Sequence, residues 1–314
     1  MCTKHLMALL ILAGLLPCPR VHGQIFETNE QNNTLDEYTT AGVPVGSGTL
    51  VSSGLSQPDG IAVSGSDIFV ANPANNTICE FTTAGTPVGS GTLVSSGLDA
   101  PSGIAVSGSD IFVANELSNT IGEYTTAGVP VGSGILISTG LWPDGIAVSG
   151  SDILFSDSIS NGEAICEYTT AGVPVGSGTL FTLISGYQAS GIAVSESDIF
   201  VTYFNGTNST IGEYTTAGVP VGSGTLVSGL SSADGIAVSG SDIYVATFGD
   251  GTSDGAIDEY TTAGVPVGSG TLVSGLPGSD GIALVQPVPE PSTSVMLALA
   301  GGLWIAMNRR RTRI

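Results

Sequence analysis

Residues 59–98 read DGIAVSGSDIFVANPANNTICEFTTAGTPVGSGTLVSSGL, and this stretch decides the fold. It breaks into four strand-like pieces, residues 60–64, 67–72, 77–83 and 92–95. Each is rich in Ile, Val, Phe, Tyr or Thr, and each is bounded by Gly, Ser, Pro or Asn. The unit recurs along the chain. An aromatic residue after a glutamate marks it at Tyr38, Phe81, Tyr124, Tyr168, Tyr214 and Tyr260, in steps of 43, 43, 44, 46 and 46 residues. Four strands in about 44 residues is the period of a propeller blade. The first two pieces, GIAV and DIFVA, are unbroken apolar runs, as expected of strands sandwiched between neighbouring blades. The third alternates Ile78, Glu80 and Thr82 against Cys79 and Phe81, which predicts a position further out, towards solvent.

The ends of the array give the blade count. Residues 24–29, QIFETN, align with residues 67–72, DIFVAN, at the offset of 43 that separates Tyr38 from Phe81. A chain starting at Gln24 therefore begins with strands two, three and four of a blade. The missing first strand stands at residues 280–285, DGIALV. The prediction is an all-β, six-bladed β-propeller of four-stranded blades, the last closed by three N-terminal strands plus one C-terminal strand. Closure removes the free sheet edges that invite aggregation.

The unit resembles the NHL-repeat family. The residues that carry the likeness are PSGIAV at 101–106, DIFVAN at 110–115, Asn119-Thr120-Ile121 and Gly128, and it runs across residues 24–285. The resemblance implies a six-bladed propeller, in agreement with the count. That family often has a basic residue before the Ile of the third strand. Thr77, Thr120 and Thr210 stand there instead, which removes that route to recognising an anion.

Both ends read as addresses. Residues 1–23 have a basic start at Lys4, an apolar run over residues 6–16 and the small-residue exit Val21-His22-Gly23, the pattern of a secretory signal peptide cleaved before Gln24. After the propeller at 24–286, residues 287–314 contain Pro289-Glu290-Pro291, an apolar stretch over residues 295–307, and Arg309-Arg310-Arg311. The arginines place the tail's end in the cytoplasm and everything before the apolar stretch outside. The stretch is short for a hydrocarbon core of about 30 Å, so it suits a transient transmembrane helix. The three parts together resemble the PEP-CTERM sorting signal of Gram-negative bacteria. That resemblance implies that an exosortase recognises the Pro-Glu-Pro region and removes the helix and basic tail.

Charge excludes whole classes of function. Between residues 24 and 288 there is no Lys, Arg or His, yet 26 of the 27 acidic residues fall there. Such a domain repels phosphate backbones, so no nucleic-acid partner is expected. It also offers no imidazole base, Schiff-base amine or guanidinium clamp. A non-catalytic binding or structural role is expected, and the two end signals, with the sorting-signal resemblance, imply the cell envelope or extracellular matrix as its setting and exopolysaccharide or envelope proteins as partners. The alternative is a metal-dependent hydrolase, because six-bladed relatives include metal-dependent lactonases and lyases, and a site made only of carboxylates and Asn survives the exclusion.

Candidate site residues sit in loops near the central channel. Those leading into strand one supply Asp59, Ser102, Asp144, Ser190, Asp234 and Asp280; those leaving strand two supply Asn29, Asn72, Asn115, Asp157, Tyr203 and Thr247. Asp59, Asp144, Asp234 and Asp280 form an oxygen ring suited to Ca²⁺. The same Asp-Gly pairs also read as turn chemistry, which is the preferred reading. The recurring Glu37, Glu80, Glu123, Glu167, Glu213 and Glu259 have no cationic partner and are expected on a solvated outer rim. Two longer loops, residues 204–208 and 248–254, break the symmetry and are the first choice for specificity, the alternative being tolerated insertions. Cys79 and Cys166 occupy one strand-three position two blades apart, too distant for a disulfide, and are expected to be buried thiols.

Overall fold

The computed structural model describes residues 23–159, 162–183, 186–205, 207–249 and 255–285. The N-terminal signal up to His22, the Pro289-Glu290-Pro291 motif, the apolar stretch and the arginines lie outside the described residues, as do Gly206 and residues 250–254 of the two long loops. Among the described residues no helix is long and apolar enough to cross a membrane.

The chain opens with β1 (Gln24–Asn29), β2 (Thr34–Thr39) and β3 (Pro44–Val51). Blade one follows as β4 (Ile61–Ser64), β5 (Asp67–Asn72), β6 (Thr77–Thr82) and β7 (Pro87–Val94). Blade two is β8 (Pro101–Ser107), β9 (Asp110–Asn115), β10 (Thr120–Thr125) and β11 (Pro130–Ser138). Blade three is β12 (Leu141–Ser149), β13 (Asp152–Ile159), β14 (Gly162–Thr169) and β15 (Pro174–Thr182). Blade four is β16 (Gln188–Val194), β17 (Asp198–Phe204), β18 (Ser209–Thr215) and β19 (Pro220–Leu230). Blade five is β20 (Ala233–Ser239), β21 (Asp242–Thr247), β22 (Ala256–Thr261) and β23 (Pro266–Ser274), and β24 (Ser279–Val285) ends the array. Every sheet is antiparallel and four-stranded, and the sixth has the order β24-β1-β2-β3. The closing register pairs Gln24 with Val285, Ile25 with Leu284 and Phe26 with Ala283. The predicted six-bladed, three-plus-one closure is therefore the observed one.

Continuous apolar runs are explained by packing on both faces. In β5, Ile68 and Val70 join a cluster with Phe26 and Leu35 of the closing blade, while Phe69 joins one with Ile104 and Val113 of blade two. Six such clusters form the interfaces of the ring.

Two expectations fail. The third strand lies outside the first two, as expected, but does not reach solvent: Ile78, Cys79 and Phe81 are at most 3% exposed. The reason is the fourth strand, which covers it and starts five residues earlier than the sequence suggested, at Pro87. Its opening Pro-Val-Gly-Ser-Gly carries no strand propensity to the eye, yet it pairs through bulges, as in the shifts between Cys79 and Phe81. This outer edge takes the solvent instead: Val45, Val88, Val221 and Val267 are exposed within it, and Val43, Val129, Val173, Val219 and Val265 are exposed in the turns just before it. A proline without an N–H and the bulge together blunt each edge strand.

Candidate functional site

The innermost strands line a bore of about 90 Å³ with Asp59, Asp144, Ser190 and Asp234 above a collar of glycines and isoleucines. The glycines make the ring close. A Cβ on Gly60 would stand 2.2 Å from the Ser102 carbonyl oxygen, on Gly145 1.7 Å from that of Ser190, and on Gly281 2.3 Å from that of Asp59. Each blade's glycine thus admits the backbone of the next. The preferred turn reading of Asp-Gly is overturned at three of its four sites: Asp144-Gly145, Asp234-Gly235 and Asp280-Gly281 lie within inner strands, where the glycine allows close approach, and Asp59-Gly60 comes just before β4. Hydroxyls reinforce the same seam. Thr28 Oγ1 donates to the Asp59 carbonyl at 2.5 Å and accepts the Gly281 N–H at 2.8 Å, tying β1 and β24 to blade one. Thr202 does the same between Gly191 and Asp234, at 2.8 and 2.5 Å. Nothing in the sequence marks these hydroxyls, because Ala71, Ala114 and Ala246 stand at the same place in other blades.

The structure brings Asp59, Asp144, Asp234 and Asp280 together at the top of the bore. Burial raises the pKa of all four, and their mutual repulsion raises Asp59, Asp144 and Asp280 further. Asp144 is pushed up to about 8, by burial first and then by Asp234 and Glu116. Asp234 and Asp280 are hydrogen-bonded to each other, which requires a proton on one of them. The carboxylates lie across a ring and do not converge on a point: among the described residues, no group of three or more His, Cys, Asp or Glu is arranged to hold a metal ion.

The second candidate set is spent on structure. Asn72 Oδ1 accepts the Ser56 N–H at 3.0 Å, Asn115 Oδ1 accepts the Asp99 N–H at 3.2 Å, and Asp157 Oδ2 accepts the Gly140 N–H at 2.9 Å. These side chains pin the loop that leads into their own blade. The glutamates are also misplaced by sequence reasoning. Glu37, Glu80 and Glu259 are buried, and Glu123, Glu167 and Glu213 are half-buried. They project from the third strand beside Asp67, Asp110, Asp152, Asp198 and Asp242 in blades one to five, and partial burial raises the pKa of each. In the closing blade Gln24 replaces the aspartate and donates to Glu37. Cys79 and Cys166 are free and buried, as expected.

At the mouth of the bore, lined by blades two to five, lies a cavity of about 350 Å³. Asp144 and Asp234 form part of its wall with Glu116 and Glu163, and Trp142, Phe204 and Phe248 bring aromatic rings to it. Gln188, Ser190, Ser209 and Ser232 supply the remaining polar groups. Two of the aromatics come from the long loops singled out in the sequence. Trp142, Glu116, Glu163 and Ser209 were missed, because they meet only when separate blades are wrapped into a ring. Trp142 sits where the backbone has a positive φ, as do Gln57, Ala100 and Ser232 at the corresponding loop position (φ 44° to 48°).

Comparison with solved structures places the fold in known company. The chain is similar to a protein in the crystal structure of a nidogen/laminin complex, with a TM-score of 0.64 and 12% identity over 84% of this chain and 99% of that one. It is similar to a protein described as TolB from Agrobacterium tumefaciens, with a TM-score of 0.58 and 12% identity over 85% and 99% of the two chains. A gluconolactonase from Xanthomonas campestris has a TM-score of 0.51 and 14% identity over 71% of this chain and 77% of that one. At these identities the likeness is one of fold alone, and it joins enzymes and non-enzymes. No protein-family profile matches the chain, and no curated protein matches its sequence.

Proposed function

We propose that the chain is an exported, non-catalytic binding propeller of the Gram-negative cell envelope or extracellular matrix. In this reading its NHL-like ring is delivered by the N-terminal signal and released by an exosortase acting at Pro289-Glu290-Pro291. Envelope proteins or exopolysaccharide are its surroundings. One observation carries the binding role: the mouth of the bore is lined by carboxylates, hydroxyls, an amide and aromatic rings, in a domain without Lys, Arg or His. Such a wall recognises a ligand by charge and stacking and offers no group titrating as a general base with a positive partner.

The opposing reading is a metal-dependent hydrolase using the aspartate ring. One experiment separates the two. The purified protein is stripped with EDTA and then given Ca²⁺, while its melting temperature and lactone hydrolysis are followed. Unchanged melting without turnover supports the binding role; a Ca²⁺-dependent rise with turnover overturns it. For sorting, the intact mass of the native protein is decisive, and a mass that retains residues 292–314 sinks the processing step.

A further inference from the structure

The mouth cavity combines two chemistries that select the same ligand. Asp144, Asp234, Glu116 and Glu163 surround it, and Asp144 feels the other three charges. No Lys, Arg or His within residues 24–285 is present to neutralise them. Trp142 and Phe248 meet the same space, and Trp142 is 56% exposed, so its ring is not consumed by the core. A small hard cation wants roughly six to eight oxygens at about 2.3–2.6 Å, and the carboxylates are not gathered that way. An organic cation needs only distributed negative charge, with aromatic faces within about 6 Å of its centre. An independent feature also calls for a ligand. Ser209 is fully buried, lines the cavity, and its Oγ has no hydrogen-bond partner. An orphaned buried hydroxyl is unfavourable until something supplies the missing bond.

We propose that this cavity binds an organic ammonium ion. Its nitrogen sits among Asp144, Asp234 and Glu116, its N–H groups reach the Ser209 hydroxyl, and its carbon chain lies against Trp142 and Phe248. The inference rests on the binding reading above and names what the mouth takes. The ammonium comes either from a free polyamine or from a lysine side chain of a basic peptide; the recognition chemistry is the same.

The test titrates the purified protein at low salt with spermidine, choline and trilysine, by calorimetry and by Trp142 fluorescence. Saturable binding with a Kd below roughly 1 mM is expected. Trp142→Ala and Phe248→Ala each weaken it about five- to tenfold, the effect of losing one cation–π face. Asp234→Asn weakens it at least as much. Phe248→Ala removes a half-buried rim residue and leaves the ring glycines untouched, so circular dichroism and melting should match the parent. Preference for spermidine assigns a free polyamine, and preference for trilysine assigns a basic segment. No saturable binding, equal binding in the two aromatic variants, or displacement by stoichiometric Ca²⁺ overturns the proposal. Failure here in a protein that turns over no lactone removes only the ligand assignment; turnover removes the binding reading itself.

Discussion

Glu27 is the residue whose replacement should stabilise this protein most. It stands in β1 at the place that Val70, Val113, Val201 and Val245 occupy in other blades. It is fully buried; the nearby Ser279 hydroxyl favours its ionised form, but neither carboxyl oxygen nor that hydroxyl reaches hydrogen-bond geometry. Asp36 faces it directly across β2, Ile282 faces it across β24, and Ser279 of β24 adjoins it. Tyr38 and Asp36 are the titratable groups close enough to feel its charge, and neither is a cation. Burial first, and then Asp36, hold the Glu27 pKa well above the ordinary carboxylate range.

The sign of the effect follows from linkage. A carboxyl whose folded pKa lies above its unfolded value of about 4.3 favours the folded state fully at acid pH, and that contribution is lost as pH rises through the folded pKa. Glu27→Val therefore removes two penalties at once. The first is the unsatisfied buried carboxyl, worth roughly 1–3 kcal/mol at any pH. The second is the proton or charge that the native site demands above about pH 4. The propeller, Gln24–Val285, unfolds with an entropy of about 0.5 kcal/mol/K, so a gain of about 2–3 kcal/mol raises Tm by about 4–6 °C. Thermal melts from pH 4 to pH 8 check it. The valine variant should melt higher throughout, and its advantage should widen as pH rises. Glu27→Gln should flatten the pH slope while recovering little of the baseline. A valine variant that melts below the parent at pH 7 would refute the reasoning and mean that the carboxyl holds a partner.

Two further outcomes follow from the bore. Gly145→Ala should destabilise by more than about 3 kcal/mol or prevent closure, because the added Cβ would stand 1.7 Å from the backbone oxygen of Ser190, which cannot shift far enough to relieve it; Gly132→Ala, a positive-φ glycine with open space around it, should cost only about 1 kcal/mol in the same melts. The coupled aspartates should make the protein less stable as pH rises above the unfolded carboxylate range, with Tm falling steadily up to about pH 8 and levelling off beyond it, where folded Asp144 has also shed its proton; Asp144→Asn should remove its share of that fall.

How much could be read in advance follows from what each feature depends on. Blade number and closure are visible because strand residues repeat with a fixed step, and because the 43-residue offset that aligns Tyr38 with Phe81 also aligns Gln24 with Asp67. The fourth strand was misjudged because Pro87, Gly89 and Gly91 read as loop, while the bulge that accommodates them is a property of pairing with β6. The glutamates were misjudged for a related reason. Lacking a cation, Glu80 was placed outside, but its strand is fixed by Ile78, Cys79 and Phe81, and the sheet carries Glu80 in with them. The aspartates of the bore could be nominated from recurrence alone. Their coupling could not, since it arises only when the ring closes and stacks one blade's glycine against the next blade's carbonyl.

On the proposed binding reading, departures from the repeat carry the functional information. EYTTAGVPVGSGTL is identical at residues 37–50, 167–180, 213–226 and 259–272, and it builds the outer edge with its exposed valines. A partner touching that edge meets the same Val-Pro-Val surface at successive blades, so the edge offers multivalency without orientation. The mouth differs. Gln57, Ala100, Trp142 and Ser232 share one positive-φ backbone, and the amides of the first three are held by Asn33, Asn76 and Asn119 at 2.6 to 2.8 Å. The fold fixes the main chain at this position and leaves the side chain free, and blade three uses that freedom for an exposed tryptophan. Phe204 ends the second strand of the next blade and Phe248 follows that of the blade after it, and both line the same cavity. An aromatic wall confined to three adjacent blades, over a bore with carboxylates in four blades of six, would give the proposed ligand one preferred orientation on an otherwise near-symmetric molecule.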